Sequence, residues 1–386
     1  MRKLFGITLS GGGARAAYQV GALQALAEIA GPEGDQADPL FKVITGTSAG
    51  AINAAYLAAR ASDWRRGVLE LKEIWRTLSP ENIYHADRSH FGEMGAKWLV
   101  GAFLGSLIRK GSDLNHLLNT SPLRDFLTKH IPMAELEANL SSGKVHGLAL
   151  TATNYYSGSS MVFFDGDPKI MPWARTDRAS VRTKLSIEHV MASSAIPIFF
   201  PPVAIEDSFY GDGCIRQTTP LSPAIHLGSQ KIIAIGIRHP RAEEKTLELS
   251  LKSQAAAPKL AQIMGVVLNS VFLDSIEADI ERITRINQTL AIIPPENINE
   301  HTAHLRQIPV LMLRPSRDLG VLAGQLLRDF PPALRYILRG MGASKTEGAD
   351  LMSYLAFDQP FTSRLIEIGY EDTLNESEKI TEFLEL

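Results

Sequence analysis

Hydrophobic and polar positions along this chain switch between two periods. Residues 3–9, KLFGITL, are a short apolar run stopped by glycine, the pattern of a buried strand. From Ala14 to Ala30 the spacing becomes helical, with Val20, Leu23 and Ala27 on one face. GPEGDQADP breaks that pattern, Phe41–Thr45 reads as a second buried strand, and Ala49 to Ala61 as a second helix. Strand, loop, helix, loop, strand, turn, helix is the opening of a parallel α/β sheet. One right-handed crossover would make the first two strands neighbours.

Residues 63–132 read as a helical insertion punctuated by SPEN, RKGSD and NTSP. Strands return at Val145–Ala152 and Ser160–Phe164, and a short helix covers Ser186–Ser194. FFPPVAI is extended because its prolines exclude helix. KIIAIGI, Lys231–Ile237, is a buried strand. Past Pro240 a charged connection leads to a long helix over Pro258–Ile286, a strand at Ile308–Leu313 and further helices over Leu319–Leu386.

Composition narrows the function classes. The 386 residues are 45% hydrophobic and 21% charged, with net charge −3. No basic surplus offers itself to nucleic acid, and none is expected as a partner. The single cysteine, Cys214, allows no internal disulfide and no zinc cluster, which fits a reducing, cytoplasmic compartment. In MRKLFGITLSGGGARA the apolar stretch Leu4–Leu9 is too short for a signal core, so no signal peptide is expected. Trp98–Ile108 and Leu260–Leu273 are the longest apolar runs, and both fall short of the ~18 residues that span a bilayer. Peripheral membrane contact stays open. Trp98–Ile108 reads either as a buried core helix, the blander expectation, or as a lid facing lipid.

Two glycine-bounded stretches carry candidate chemistry. Gly46-Thr47-Ser48-Ala49-Gly50 is G-x-S-x-G between a strand and a helix, the setting of a nucleophile elbow. The same residues also describe a plain helix start with Ser48 as N-cap. Ser10-Gly11-Gly12-Gly13 follows the first strand. It formally fits a dinucleotide fingerprint with Ala16, but the second strand ends at Thr45-Gly46-Thr47-Ser48, without the acid that would hold a ribose. Neighbouring strands would instead bring the glycine loop beside Ser48, as N–H donors for an oxyanion. Arg15 reads as a pin for that loop, an attractor of anionic head groups, or a solvated helix-start residue.

A serine needs a base. Ser48, Asp212 and His239 follow the order of an α/β-hydrolase triad, although that fold places several strands before its elbow. A carboxylate acting directly is the alternative. Asp165 in FFDGD and Asp212 in FYGDG are equal candidates at this point, each also explicable as an Asp-Gly turn.

SGGGARAAYQVG, GTSAGAINA, ASSAIPIFFPP and YGDGCIRQTTPLSPAI, in that order, resemble the patatin-like phospholipases over about residues 3–240. LRGMGASKTEGADLMSYLAFD and LIEIGYED are similar to the tail of bacterial members. The resemblance implies a three-layer sandwich around a mostly parallel sheet: a catalytic domain over 1–240, with its helical insertion near 63–132, and a mainly helical region 241–386 packed on it. It implies a dyad of Ser48 and Asp212 without histidine, an oxyanion loop at Gly11, Gly12 and Gly13, and no cofactor or metal for the chemistry. The implied substrates are fatty acyl esters of phospholipids, lysophospholipids or neutral lipids. Hydrolysis, acyl transfer to another acceptor, and non-catalytic lipid binding on the same fold all remain compatible. Two positions depart from the family pattern. Ala16 replaces a glycine at a helix start, and Cys214 follows Asp212-Gly213, where it is expected to pack as a small buried hydrophobe.

Overall fold

The computed structural model describes residues 3–31, 39–85, 116–240, 251, 257–294, 305–324, 330–344 and 347–386. Its strands are β1 (Phe5–Leu9), β2 (Val43–Thr47), β3 (Gly147–Asn154), β4 (Ser160–Gly166), β5 (Ala174–Arg175), β6 (Arg178–Arg182), β7 (Val203–Ile205), β8 (Ser208–Asp212), β9 (Lys231–Ile235) and β10 (Val310–Leu313). They form one sheet in the order β10-β9-β1-β2-β3-β4-β6-β5, with β8 on β3 and β7 on β8. The run from β10 to β3 is entirely parallel. β1 and β2 are neighbours, as a single crossover requires.

Period two sorts the sheet residues onto two cores. Ile7, Leu9, Ile44, Leu148, Leu150, Ile233 and Ile235 face one side, with helices α1 (Ala17–Ile29), α2 (Ala49–Ala59) and α3 (Trp64–Arg76). Val43, Ala149, Ile232 and Ala234 face the other, with the helices Ser222–His226 and Asp274–Ala291. The result is three layers. Covered on both faces, the parallel strands read as continuous apolar runs.

Several elements differ from the sequence reading. The long helix expected over Pro258–Ile286 is two, Leu260–Phe272 and Asp274–Ala291. Leu268, Phe272 and Leu273 are buried in the first core, Ile276 and Ile283 in the second, and a straight helix cannot serve both. A helix at Met133–Ser141 extends the insertion; β7 falls in FFPPVAI, read as extended, whereas the short strands β5, β6 and β8 have no counterpart in the sequence reading. The run Trp98–Ile108 and most of the charged connection after Pro240 lie outside the described residues. Among the described residues no helix is long and apolar enough to cross a membrane.

The region after residue 240 is built into the sheet as well as lying on it. β10 pairs with β9 over Val310–Leu313. The helix Gln359–Leu374 lies against α1 at two glycines. A Cβ on Gly21 would stand 1.9 Å from the Ile366 carbonyl, and one on Gly369 2.0 Å from that of Tyr18. α1 is therefore buried nearly all round.

Candidate active site

β3 acts as a ruler for the site. β4 occupies one of its edges along Gly147–Thr153. The other edge is shared end to end: β2 pairs with it up to Thr47 opposite Thr151, and β8 pairs antiparallel from Asp212 opposite Ala152. The chain segments carrying Ser48 and Asp212 thus meet head-on at adjacent positions on one strand.

Ser48 begins α2 with φ 55° and ψ −131°, a conformation that L-residues other than glycine rarely adopt. Its hydroxyl does not cap the helix. Instead Oγ donates to Asp212 Oδ2 at 2.5 Å, so the N-cap explanation of this serine does not hold. The Ser48 N–H donates to Ser193 Oγ at 3.0 Å, and that hydroxyl in turn donates to the Thr151 carbonyl at 2.6 Å. The flanking glycines permit the turn. A Cβ on Gly50 would stand 2.3 Å from the Leu9 carbonyl, and one on Gly46 2.3 Å from that of Gly50.

Asp212 is fully buried. Its Oδ1 accepts the Cys214 N–H at 2.9 Å, and its own carbonyl accepts from Thr153 Oγ1 at 2.8 Å. Desolvation pushes its pKa up to about 7, against the opposing effect of hydrogen bonds from Ser48 and Cys214. A carboxyl so poised exchanges protons near neutrality. Asp165, the other Asp-Gly candidate, lies on the opposite edge of β3 from Asp212 and opposite Leu148, four residues or about 13 Å back along that strand. Its Oδ1 accepts the Gly166 N–H and sits 3.6 Å from Arg182. It is a strand-end aspartate, held away from Ser48. His239 Nδ1 faces the Pro315 carbonyl at 3.0 Å, and among the described residues no imidazole bonds to Ser48 or Asp212.

The glycine loop closes the third side. A Cβ on Gly11 would lie 2.3 Å from Cys214 Sγ and 2.7 Å from Ser48 Cβ, so only glycine fits there. Gly12 and Gly13 have φ 152° and 56°. Gly13 opens the 3₁₀ turn Gly13–Ala16, where first-turn N–H groups lack intrahelical acceptors. Cys214 is buried but not inert in its packing. Its Sγ lies 2.3 Å from where a Gly11 Cβ would stand, and burial, then the Asp212 charge, hold its own pKa well up. A thiol this reluctant to ionise is a poor nucleophile.

Some contributors were not legible beforehand. Gln19 Nε2 donates to the Ser10 carbonyl at 2.7 Å. Asn53 Nδ2 donates to Gln19 Oε1 at 3.0 Å, and Trp75 Nε1 to Asn53 Oδ1 at 2.8 Å. This buried chain ties the start of the glycine loop to α2 and α3. Gln217 bonds to Thr47, next to the serine. Arg15 is 2% exposed, so its reading as a solvated helix-start residue is overturned. Its guanidinium is engaged by Asp350, Ser353 and the Tyr354 ring, inside the protein.

A glycine loop, a strained serine on a strand-to-helix turn and a buried aspartate on one sheet edge match a known class. Residues 7–225, more than half of the chain, match the family Patatin-like phospholipase, and the chain belongs to that family. Among solved structures it is similar to human GIVD cytosolic phospholipase A2 in complex with methyl gamma-linolenyl fluorophosphonate. The identity is 11%, over 99% of this chain and 59% of that one, with a TM-score of 0.44. VipD from Legionella pneumophila is 12% identical over 95% of this chain and 67% of its own, TM-score 0.30. The type III effector ExoU is 15% identical over 98% and 77%, TM-score 0.29. This chain thus spans 59% of the human chain it matches. No curated protein matches it in sequence.

Proposed function

We propose that this protein is a serine acyl-ester hydrolase that cleaves fatty acyl esters of phospholipids, lysophospholipids or neutral lipids with a Ser48–Asp212 dyad. The carrying observation is the 2.5 Å bond from Ser48 Oγ to a fully buried carboxylate. Asp212 takes the Ser48 proton as Oγ attacks the acyl carbonyl carbon. The glycine-loop N–H groups hold the oxyanion, a role worth roughly 3–4 kcal/mol per donor. Collapse expels the alcohol or lysolipid, which leaves with the proton from Asp212. Asp212 then deprotonates water, which attacks the acyl-serine, and the proton returns to Ser48 Oγ as the fatty acid departs. The substrate is met at a membrane surface, reached peripherally from the cytoplasm.

The strain at Ser48 favours catalysis over passive lipid binding. A non-glycine residue held in such a conformation costs about 1–3 kcal/mol and persists where function uses it. Ser48→Ala and Asp212→Asn should each abolish p-nitrophenyl ester turnover in folded protein, and a fluorophosphonate should label Ser48 in the wild type. Full activity in either variant overturns the dyad. His239→Ala should keep its turnover, and a loss of several orders of magnitude there would restore the triad.

A further inference from the structure

Three consecutive glycines are the least self-supporting stretch a chain can have. Yet an oxyanion donor misplaced by about 1 Å can lose 10²-fold in rate. The loop must be held from outside. Gln19 holds its start through Ser10. Its end is held by residues more than 330 positions away in sequence.

We infer that Asp350 and Ser353, on the helix Ala349–Leu355, are positioning residues that set the oxyanion loop through Arg15. The inference rests on the reading of Ser48 as nucleophile. Arg15 Nη2 donates to Asp350 Oδ1 at 2.8 Å, and Nε to Ser353 Oγ at 2.7 Å. Ser353 is fully buried, and its proton is spent on the Asp350 carbonyl at 2.5 Å. Its lone pair is thereby turned toward Arg15. The guanidinium lies 4.5 Å from the Tyr354 ring centroid, and the Tyr354 hydroxyl donates to Asn269 at 2.9 Å. Backbone meets backbone at the same place: a Cβ on Gly13 would stand 2.2 Å from the Tyr354 carbonyl. Only a planar fork satisfies Asp350 and Ser353 together, and lysine cannot reproduce it. The arginine next to the loop is therefore a clamp in this chain, and the GADLMSYL stretch is its seat.

The test is steady-state kinetics on the full chain. Arg15→Lys, Asp350→Asn, Ser353→Ala and the Arg15→Lys/Asp350→Asn pair are compared with Met352→Leu, a volume-conserving change on the same helix. Asp350→Asn and Ser353→Ala should lose about tenfold in kcat and Arg15→Lys about 10²-fold, with KM within about twofold. The double variant should fall no further than Arg15→Lys, because Asp350 acts through that side chain. Met352→Leu should keep wild-type kcat. Wild-type kcat in Asp350→Asn and Ser353→Ala, an effect on KM alone, additive losses in the pair, or an equal loss in Met352→Leu would each overturn the clamp. Should Arg15→Lys fail to fold, Ser353→Ala decides, since it keeps both charges. Ser48→Ala is run in parallel. Its inactivity beside an additive cycle sinks the clamp alone, whereas its full activity sinks the nucleophile and the clamp together.

Discussion

Asp212 carries two opposed demands. The base must be ionised to take a proton from Ser48, yet its side chain is fully buried, where the charged form is disfavoured. Raising a carboxyl from 3.8 to about 7 means that ionising it in the folded protein costs about 4 kcal/mol. The sign follows from proton binding. Between those two values the native state holds a proton that the unfolded chain has released, so this contribution to stability falls as pH rises from about 4 and levels off above about 7. Activity runs the other way, with kcat/KM rising through about pH 7 as the base ionises. Asp212→Asn removes the ionisation while keeping groups that can bond to Ser48 and to the Cys214 N–H. It should be inactive, and it should melt at a higher temperature than the wild type at pH 8, with the gap closing toward pH 4. Calorimetry across that range checks this. A variant less stable than the wild type at pH 8 would show that the carboxylate is not a buried burden.

At the scale of elements, the site depends on how tightly α2 sits on the end of β1. The Gly50 backbone lies against the carbonyls of Leu9 and Ser10, 2.3 Å and 2.6 Å from where a Cβ would stand. Backbone cannot yield as a side chain tip can. Gly50→Ala should therefore destabilise the fold by about 3 kcal/mol and remove ester turnover, because the displaced helix carries Ser48 with it. A denaturant midpoint close to wild type would show that the turn relaxes more freely than its contacts suggest. This packing explains why the elbow was readable in the sequence: close approach leaves glycines at fixed offsets. The apolar runs of β1, β2, β3 and β9 were readable because they are covered on both faces. β5 and β6 were not, since they lie at a polar edge where RASVR offers no apolar run. β8 was hidden because SFYGD is five residues ending in what looks like a turn. Choosing Asp212 over Asp165 required its long-range pairing with β3, which no local pattern encodes. The resemblance to a family supplied that choice, and it supplied nothing about Asp350, 335 residues from its partner.

For the whole molecule, the division at residue 240 separates sequence patterns better than it separates structure. β10 covers the edge of β9, and the helix Gln359–Leu374 covers α1 at Gly21 and Gly369. Tyr18, Leu23 and Leu26 on α1 are fully buried, so removing its neighbours exposes apolar surface over most of that helix, whose solvent-facing polar strip is Gln24 and Glu28 alone. The same cut uncovers the backbone of β9, a strand whose apolar KIIAI sequence invites pairing between copies. It also leaves Arg15, a buried cation, without Asp350. A fragment of residues 1–240 contains Ser48, Asp212, the glycine loop and the whole family match, and on sequence grounds it is the catalytic unit. We expect it to fail as one: to elute as aggregate on size exclusion, to melt without a cooperative transition, and to leave Ser48 unlabelled by a fluorophosphonate that labels the full chain. Supplying residues 241–386 as a co-expressed second fragment should restore labelling, because the lost contacts are packing and pairing, which need no chain continuity. A monomeric, cooperatively folding and labelled 1–240 fragment would show instead that the later residues ornament a complete domain.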